Sequence, residues 1–207
     1  MNRLTASVLL YFLLLASTLF AQTRADALVL YNTGRYAQSI NVCLREIAEN
    51  PRNTESYVVL SWSLVKDGRY EEAEQWASQG RNIARYDHRL IEILGEAKYY
   101  LGQNAEALSL FQEYVSLVPS GSRVSTVYYL MGEIYLRQGK YRHADIALTT
   151  AVRYENLNAE WWTRLGYARE MAAEYIPSLD AYDQALKINP SLTDAVRGKN
   201  RVSARLG

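Results

Sequence analysis

The sequence predicts an all-α solenoid of about five helix–turn–helix units in a row, followed by one C-terminal capping helix. Three observations predict it. The first is a turn signature that recurs as Thr33-Gly34-Arg35-Tyr36, Asp67-Gly68-Arg69-Tyr70 and Gln138-Gly139-Lys140-Tyr141, with a weaker copy at Leu101-Gly102-Gln103-Asn104 and a degenerate one at Ala172-Ala173-Glu174-Tyr175. The second is its spacing. The glycines follow one another at 34, 34 and 37 residues, and Ala173 comes 34 after Gly139; a fixed period of this length is the mark of stacked helical hairpins. The third is the placement of small residues. Gly95, Gly132 and Gly166 fall midway along the first helix of a unit, and Ala73, Ala107 and Ala144 fall early in the second. Small side chains at these places let two helices cross closely.

In chain order, residues 1–21 read as an export signal rather than as fold. Met1-Asn2-Arg3 is a short basic start, Val8 to Phe20 is an apolar run, and Ala21 offers a small residue before the cut. Leu19 stands where a smaller residue is preferred. The rival reading is an uncleaved anchor, because Leu4 to Thr23 carries no charge and is about long enough to span a bilayer. Polar residues at Thr5, Ser7, Ser17, Thr18 and Gln22 weaken that reading. Either way Arg3 holds the N-terminus inside and the remainder is exported. No cysteine follows the apolar run to take a lipid.

The array is expected over residues 22–192, in units of about 22–53, 54–87, 88–121, 125–158 and 159–192. Gly34, Gly68, Gly102 and Gly139 end first helices, since glycine adopts the left-handed conformation of a helix C-terminus at little cost. Pro51, Pro119 and Pro190 close second helices. Large residues stand at helical spacing on one face: Tyr57, Leu60 and Leu64; Ile91 and Leu94; Tyr128, Met131 and Tyr135; Trp162 and Leu165. Residues 193–207 form the cap. Val196, Val202 and Leu206 are expected to cover the last unit, with Arg197, Lys199, Arg201 and Arg205 facing water.

At these residues the chain resembles the tetratricopeptide repeat (TPR) family. Trp162-x2-Leu165-Gly166 followed by Tyr175, Ala185 and Pro190 fits its pattern, as does Tyr128-x2-Met131-Gly132-x2-Tyr135 followed by Gly139, Ala144 and Ala151. There are departures. Arg85 and Asn156 replace the closing proline, Lys98 and Arg169 replace a large apolar residue, Tyr114 and Glu46 replace a small one, and three extra residues lie around Ser120 to Val124.

The resemblance implies a right-handed superhelix whose inner wall is lined by the first helices. Read by offset from the packing face, that wall carries Val58, Trp62 and Lys66 in the second unit and Glu92, Glu96, Tyr99 and Tyr100 in the third. It carries Tyr129, Glu133 and Arg137 in the fourth, and Thr163, Tyr167 and Glu170 in the fifth. Tyr99 and Tyr100 are adjacent and cannot both face one way. Tyrosine and tryptophan supply contact area at low entropic cost, and the carboxylates would favour a partner segment bearing Lys or Arg. The family's carboxylate-clamp pattern needs a Lys/Asn/Arg set that this Tyr- and Glu-rich wall lacks.

Composition narrows the functions. Without its first 21 residues the chain carries 22 basic and 22 acidic residues, so the basic face that nucleic acid demands is not expected. Cys43, the single cysteine, sits in an apolar helical stretch and reads as a small buried hydrophobe. His88 and His143 lie in different units, open helices and have no metal-ligand spacing around them. Gly132 to Lys140 lacks the spacing and the Ser/Thr of a phosphate loop. No catalytic residue, cofactor site, metal site or small-molecule substrate is expected. The expected function is that of an exported, non-catalytic adaptor of a bacterial envelope, taking a peptide or helix of a partner protein in its groove. The alternatives are a structural component that associates with itself and a subunit anchored to the membrane by its N-terminal segment.

Overall fold

The structure is a computed structural model and describes residues 26–207. The proposed export signal lies outside the described residues. Among the described residues there are helices and turns and no strand. The helices run α1 Ala27–Asn32, α2 Tyr36–Glu49, α3 Thr54–Lys66, α4 Tyr70–Ile83, α5 His88–Tyr100, α6 Asn104–Leu117, α7 Val124–Arg137, α8 Tyr141–Tyr154, α9 Ala159–Met171, α10 Tyr175–Ile188 and α11 Thr193–Leu206. Among the described residues none is long and apolar enough to cross a membrane.

Each odd-numbered helix up to α9 forms an antiparallel hairpin with the helix after it, and the turn is the same five times. Gly34, Gly68, Gly102 and Gly139 have φ of 75°, 78°, 74° and 68°. The next residue's N–H donates to the carbonyl five positions back: Arg35 to Leu30, Arg69 to Leu64, Gln103 to Lys98 and Lys140 to Tyr135, each at 2.9 Å. This bond satisfies a carbonyl that a helix end would otherwise leave open. Glu174 does the same to Arg169 at 2.9 Å, with Ala173 forced to φ 63° in the glycine's place.

Within a hairpin the two helices cross at the small residue of the first. A Cβ on Gly95 would lie 2.7 Å from the Phe111 ring, on Gly132 2.6 Å from Leu148 Cγ, and on Gly166 2.7 Å from the Tyr182 ring. The same position in the first two units is taken by Ala27 and Ser61, both buried. Ser61 settles its hydroxyl by donating to the Tyr57 carbonyl at 2.7 Å. Ala73, Ala107 and Ala144 are fully buried on the second helices. Cys43 is fully buried in α2, and burial pushes its thiol up to about 12.

The family departures are each compensated by a neighbour. Lys98 donates to Glu74 at 2.6 Å and Arg169 to Asp145 at 2.7 Å, each 24 residues away on the second helix of the preceding unit. An ion pair thus joins the units where an apolar contact would have. Glu46 accepts from Ser56 at 2.6 Å. The bulky Tyr114 is buried because the extra residues make room. Gly121 passes so close that a Cβ there would stand 2.7 Å from the Tyr114 hydroxyl oxygen. In consequence α6 packs less extensively on α7 than the other second helices pack on the unit that follows them.

The cap corrects the sequence expectation in two ways. Val202, with Ala195, covers the last unit, whereas Val196 and Leu206 are exposed. Three of the four basic side chains reach back onto the array instead of standing in water: Lys199 to Asp183 at 2.6 Å, Arg201 to Glu170 at 2.8 Å and Arg205 to the Tyr175 hydroxyl at 3.0 Å. Gly198 lets α11 sit against Tyr182, which is thereby held between Gly166 and Gly198.

Candidate functional site

The first helices lie side by side, α1 on α3, α3 on α5, α5 on α7 and α9 on α11. They make one continuous wall, while each second helix packs between its own first helix and the next. The wall is narrow because every first helix is covered by two neighbours and by its own partner helix. Val58 and Thr163 accordingly turn into the packing and are buried, not presented.

The wall's carboxylates are committed to arginines of the following unit. Glu92 and Glu96 of α5 both bind Arg123, at 2.9 and 2.7 Å. Glu133 of α7 binds Arg164 of α9 at 2.6 Å, and Glu170 of α9 binds Arg201 of α11 at 2.8 Å. Arg123, Arg164 and Arg201 each follow their glutamate by 31 residues. The side chains of Glu92, Glu96 and Glu170 keep only 3, 5 and 4% of their surface exposed. This corrects the expectation that these glutamates stand open to a basic partner: packing of consecutive first helices buries them, and an arginine from the next unit neutralises each site.

Two carboxylates share the one guanidinium of Arg123, and burial dominates the outcome for Glu92. Its carboxyl is pushed up to about 7, with Glu96 adding to the rise and Arg123 opposing it. Glu170 moves the other way. Hydrogen bonds from Arg201 hold its carboxyl below the ordinary value against the effect of burial, and Tyr182 donates to the same group at 2.8 Å.

The aromatic residues form three groups along the wall. At the N-terminal end Tyr31 of α1 meets Trp62 of α3 with ring centroids 5.7 Å apart. In the middle, Tyr100 stacks on Tyr70 at 4.5 Å and meets Tyr99 edge-on at 5.1 Å. Tyr99 is buried beneath the Arg137 guanidinium, 4.2 Å from its ring, while Tyr100 is 46% exposed. Toward the C-terminal end Tyr129 stacks on Trp161 at 4.8 Å, and Arg164 lies 5.6 Å from the Tyr167 ring. Burial raises the phenols of Tyr31, Tyr99, Tyr100 and Tyr129, the last to about 12. They are neutral hydrogen-bonding groups at physiological pH.

One cavity opens on this wall, of about 300 Å³. Leu28, Tyr31 and Asn32 of α1, Trp62 and Lys66 of α3 and Ile93 and Glu96 of α5 line it, and Ser122 and Arg123 of the inserted turn close it. Of the residues expected on the wall it brings together Trp62, Lys66 and Glu96. Tyr99, Tyr100, Tyr129, Arg137 and Tyr167 lie in the middle and C-terminal groups. Tyr31, Tyr70, Arg123, Trp161 and Arg164 were not expected there. The 31-residue step from glutamate to arginine was a readable signal for Arg123 and Arg164; Trp161 adjoins the packing residue Trp162 and carries no signal of its own. His88 and His143 are exposed, and among the described residues no cluster of His, Cys, Asp or Glu could hold a metal ion.

Comparison with known proteins places the architecture. A tetratricopeptide repeat family model matches residues 24–87 and 129–193. Human protein O-mannosyl-transferase TMTC1 is 24% identical over 164 residues, 77% of this chain but 18% of that protein. Human cilia- and flagella-associated protein 70 is 22% identical over 135 residues, 65% of this chain and 12% of that protein. The chain thus spans less than a fifth of the length of either curated relative. Among solved structures, MamA superposes with a TM-score of 0.70 at 16% identity, over 80% of this chain and 95% of that one. The pilF protein of Pseudomonas aeruginosa does so at 0.74 and 15%, over 87% and 81%. YrrB, a TPR protein with an unusual peptide-binding site, does so at 0.69 and 17%, over 84% and 88%. These likenesses concern the fold. With the repeat model matching more than half of its length, and the turn, the crossing glycines and the side-by-side first helices all in place, the chain belongs to the tetratricopeptide repeat family.

Proposed function

We propose that this protein is an exported, non-catalytic adaptor that holds an extended segment or a helix of a partner protein against its inner wall. The observation that carries the reading is the cavity floored by Tyr31 and Trp62, with Tyr100 and Tyr167 farther along the same row of first helices. Aromatic side chains with a polar tip are the residues that dominate protein interfaces. A concave row of them on rigid helices is a preorganised surface, since little is ordered on binding. The peptide-binding site of YrrB, on a similar fold, supports the same use here. Export rests on the tripartite character of residues 1–21, and a bacterial envelope is the compartment proposed with it.

The test is a quantitative pull-down from the native envelope, comparing wild type with a Trp62→Ala, Tyr100→Ala, Tyr167→Ala triple variant shown by circular dichroism to be folded. Proteins retained by the wild type and lost with the variant identify the partner and support the groove. The same proteins on both would move the function to the outer face or the termini. Recovery of the protein alone would favour self-association.

A further inference from the structure

The cavity at the N-terminal end of the wall has an electrostatic character opposite to the one its glutamates suggest. Its single lining carboxylate, Glu96, is 4% exposed and accepts from Arg123 at 2.7 Å. Glu92, behind it, is held by the same guanidinium at 2.9 and 3.1 Å. Arg123 is thereby spent on two carboxylates. Lys66 lines the same cavity, ends α3 in an exposed position and has no carboxylate within ion-pair distance among the described residues. The apolar part is made by Leu28, Tyr31, Trp62 and Ile93. A volume of about 300 Å³ is at the small end for a ligand pocket, enough for one or two side chains rather than a large metabolite.

The geometry points to this cavity as an anchor site for an acidic partner segment: one large apolar or aromatic side chain enters between Tyr31 and Trp62, and a neighbouring carboxylate of the same segment pairs with Lys66. The assignment presupposes that the partner binds the inner wall, as proposed above. It reverses the basic partner that the wall's glutamates alone suggest, because ionic groups already satisfied inside the protein cannot be offered to a ligand without breaking a buried pair. Burial of Glu92, which raises its carboxyl, lessens the negative charge of the Arg123 cluster near neutral pH and works in the same direction. The inserted turn is part of the site, since without Ser122 and Arg123 the cavity would have no wall on that side.

The test is selection of a phage-displayed random peptide library on the full chain, followed by fluorescence anisotropy of labelled winners. Binding is measured to wild type, Trp62→Ala and Lys66→Glu. Enriched segments should carry Asp or Glu beside a large apolar residue. Their binding should weaken about tenfold or more with Lys66→Glu and fade with added salt. Exchanging the peptide's acid for lysine should restore binding to Lys66→Glu. Winners that depend on Trp62 but are basic, or that bind Lys66→Glu as well as wild type, overturn the acidic-anchor assignment while leaving the groove standing. If no selected segment depends on Trp62, both the assignment and the groove reading fall.

Discussion

Arg164 forks onto Glu133 across 31 residues of sequence, Nε to Oε1 at 2.6 Å and Nη2 to Oε2 at 2.9 Å. The same fork joins Arg201 to Glu170 at 2.9 and 2.8 Å, and Arg123 to Glu92 at 3.1 and 2.9 Å. Consecutive first helices are therefore riveted by a staggered row of bidentate pairs, each with its carboxylate end more deeply buried than its guanidinium. A bidentate pair of this kind fixes orientation as well as distance. Repeat arrays are held chiefly by nearest-neighbour interfaces, so these pairs set how one unit docks on the next.

Arg164→Ala should destabilise the protein by about 1–3 kcal/mol, because Glu133, 12% exposed at its side chain, loses its counter-ion in a largely dry site. Adding Glu133→Gln should return part of that loss, since an amide tolerates burial better than a lone carboxylate. Urea unfolding of the two single variants and the double variant measures both effects. Equal stability of wild type and Arg164→Ala would show that the fork carries no interface energy.

The turns and crossings were legible in the sequence because their signals are local. A left-handed residue needs glycine, and a close crossing needs a small side chain, whatever the rest of the array does. The wall was legible only in part. Trp62, Lys66 and Tyr100 are where the helical offset puts them, but Val58 and Thr163 fall a fraction of a turn away, inside the packing. The offset takes the wall to be half a helix wide, whereas contact on three sides leaves a thinner strip. The fate of the carboxylates was harder still, since it depends on the stagger between units and on where the insertion delivers Arg123.

Gly132→Leu should lower stability by about 1–3 kcal/mol, the usual range for overpacking. Even a Cβ at this site lies 2.6 Å from Leu148 Cγ, and Leu148 is fully buried with nowhere to retreat. The two positions must be coupled. Leu148→Ala alone should cost about 2–5 kcal/mol through its cavity, but combined with Gly132→Leu it should cost less than the sum. Thermal or denaturant melts of the cycle decide it, and strict additivity would show that α7 and α8 do not meet at this pair.

Ala173 is the one described non-glycine residue with positive φ, at 63°. A left-handed residue with a Cβ costs about 1–2 kcal/mol, while glycine loses about 0.5–1 kcal/mol more backbone entropy on folding. Ala173→Gly should therefore stabilise the fifth turn by up to about 1 kcal/mol and raise the melting temperature by ~2–4 °C. Gly139→Ala, at the matching turn with φ 68°, should lower it. A fall in melting temperature with Ala173→Gly would contradict the strain argument.

Glu92 and Glu170 give opposite pH dependences. The Glu92 carboxyl is raised to about 7 in the folded protein from an ordinary 4.5, by burial first and by Glu96 second. Between those values the native state holds the proton more tightly than the unfolded chain, so this group's contribution is fully present below about 4.5 and is lost as pH rises through 7. Glu170, lowered by its hydrogen bonds from Arg201, contributes above the ordinary carboxylate range and loses that contribution as pH falls. Glu92→Gln isolates the first effect, because the amide can still accept from Arg123 and never charges. The variant should match wild type at pH 5 and exceed it at pH 8, by an amount on the order of 1–3 kcal/mol. Melting curves of both proteins from pH 5 to 8 provide the comparison. A variant weaker than wild type at pH 8 would mean that Arg123 more than offsets the burial of both carboxylates, and that the cluster is charged throughout this range.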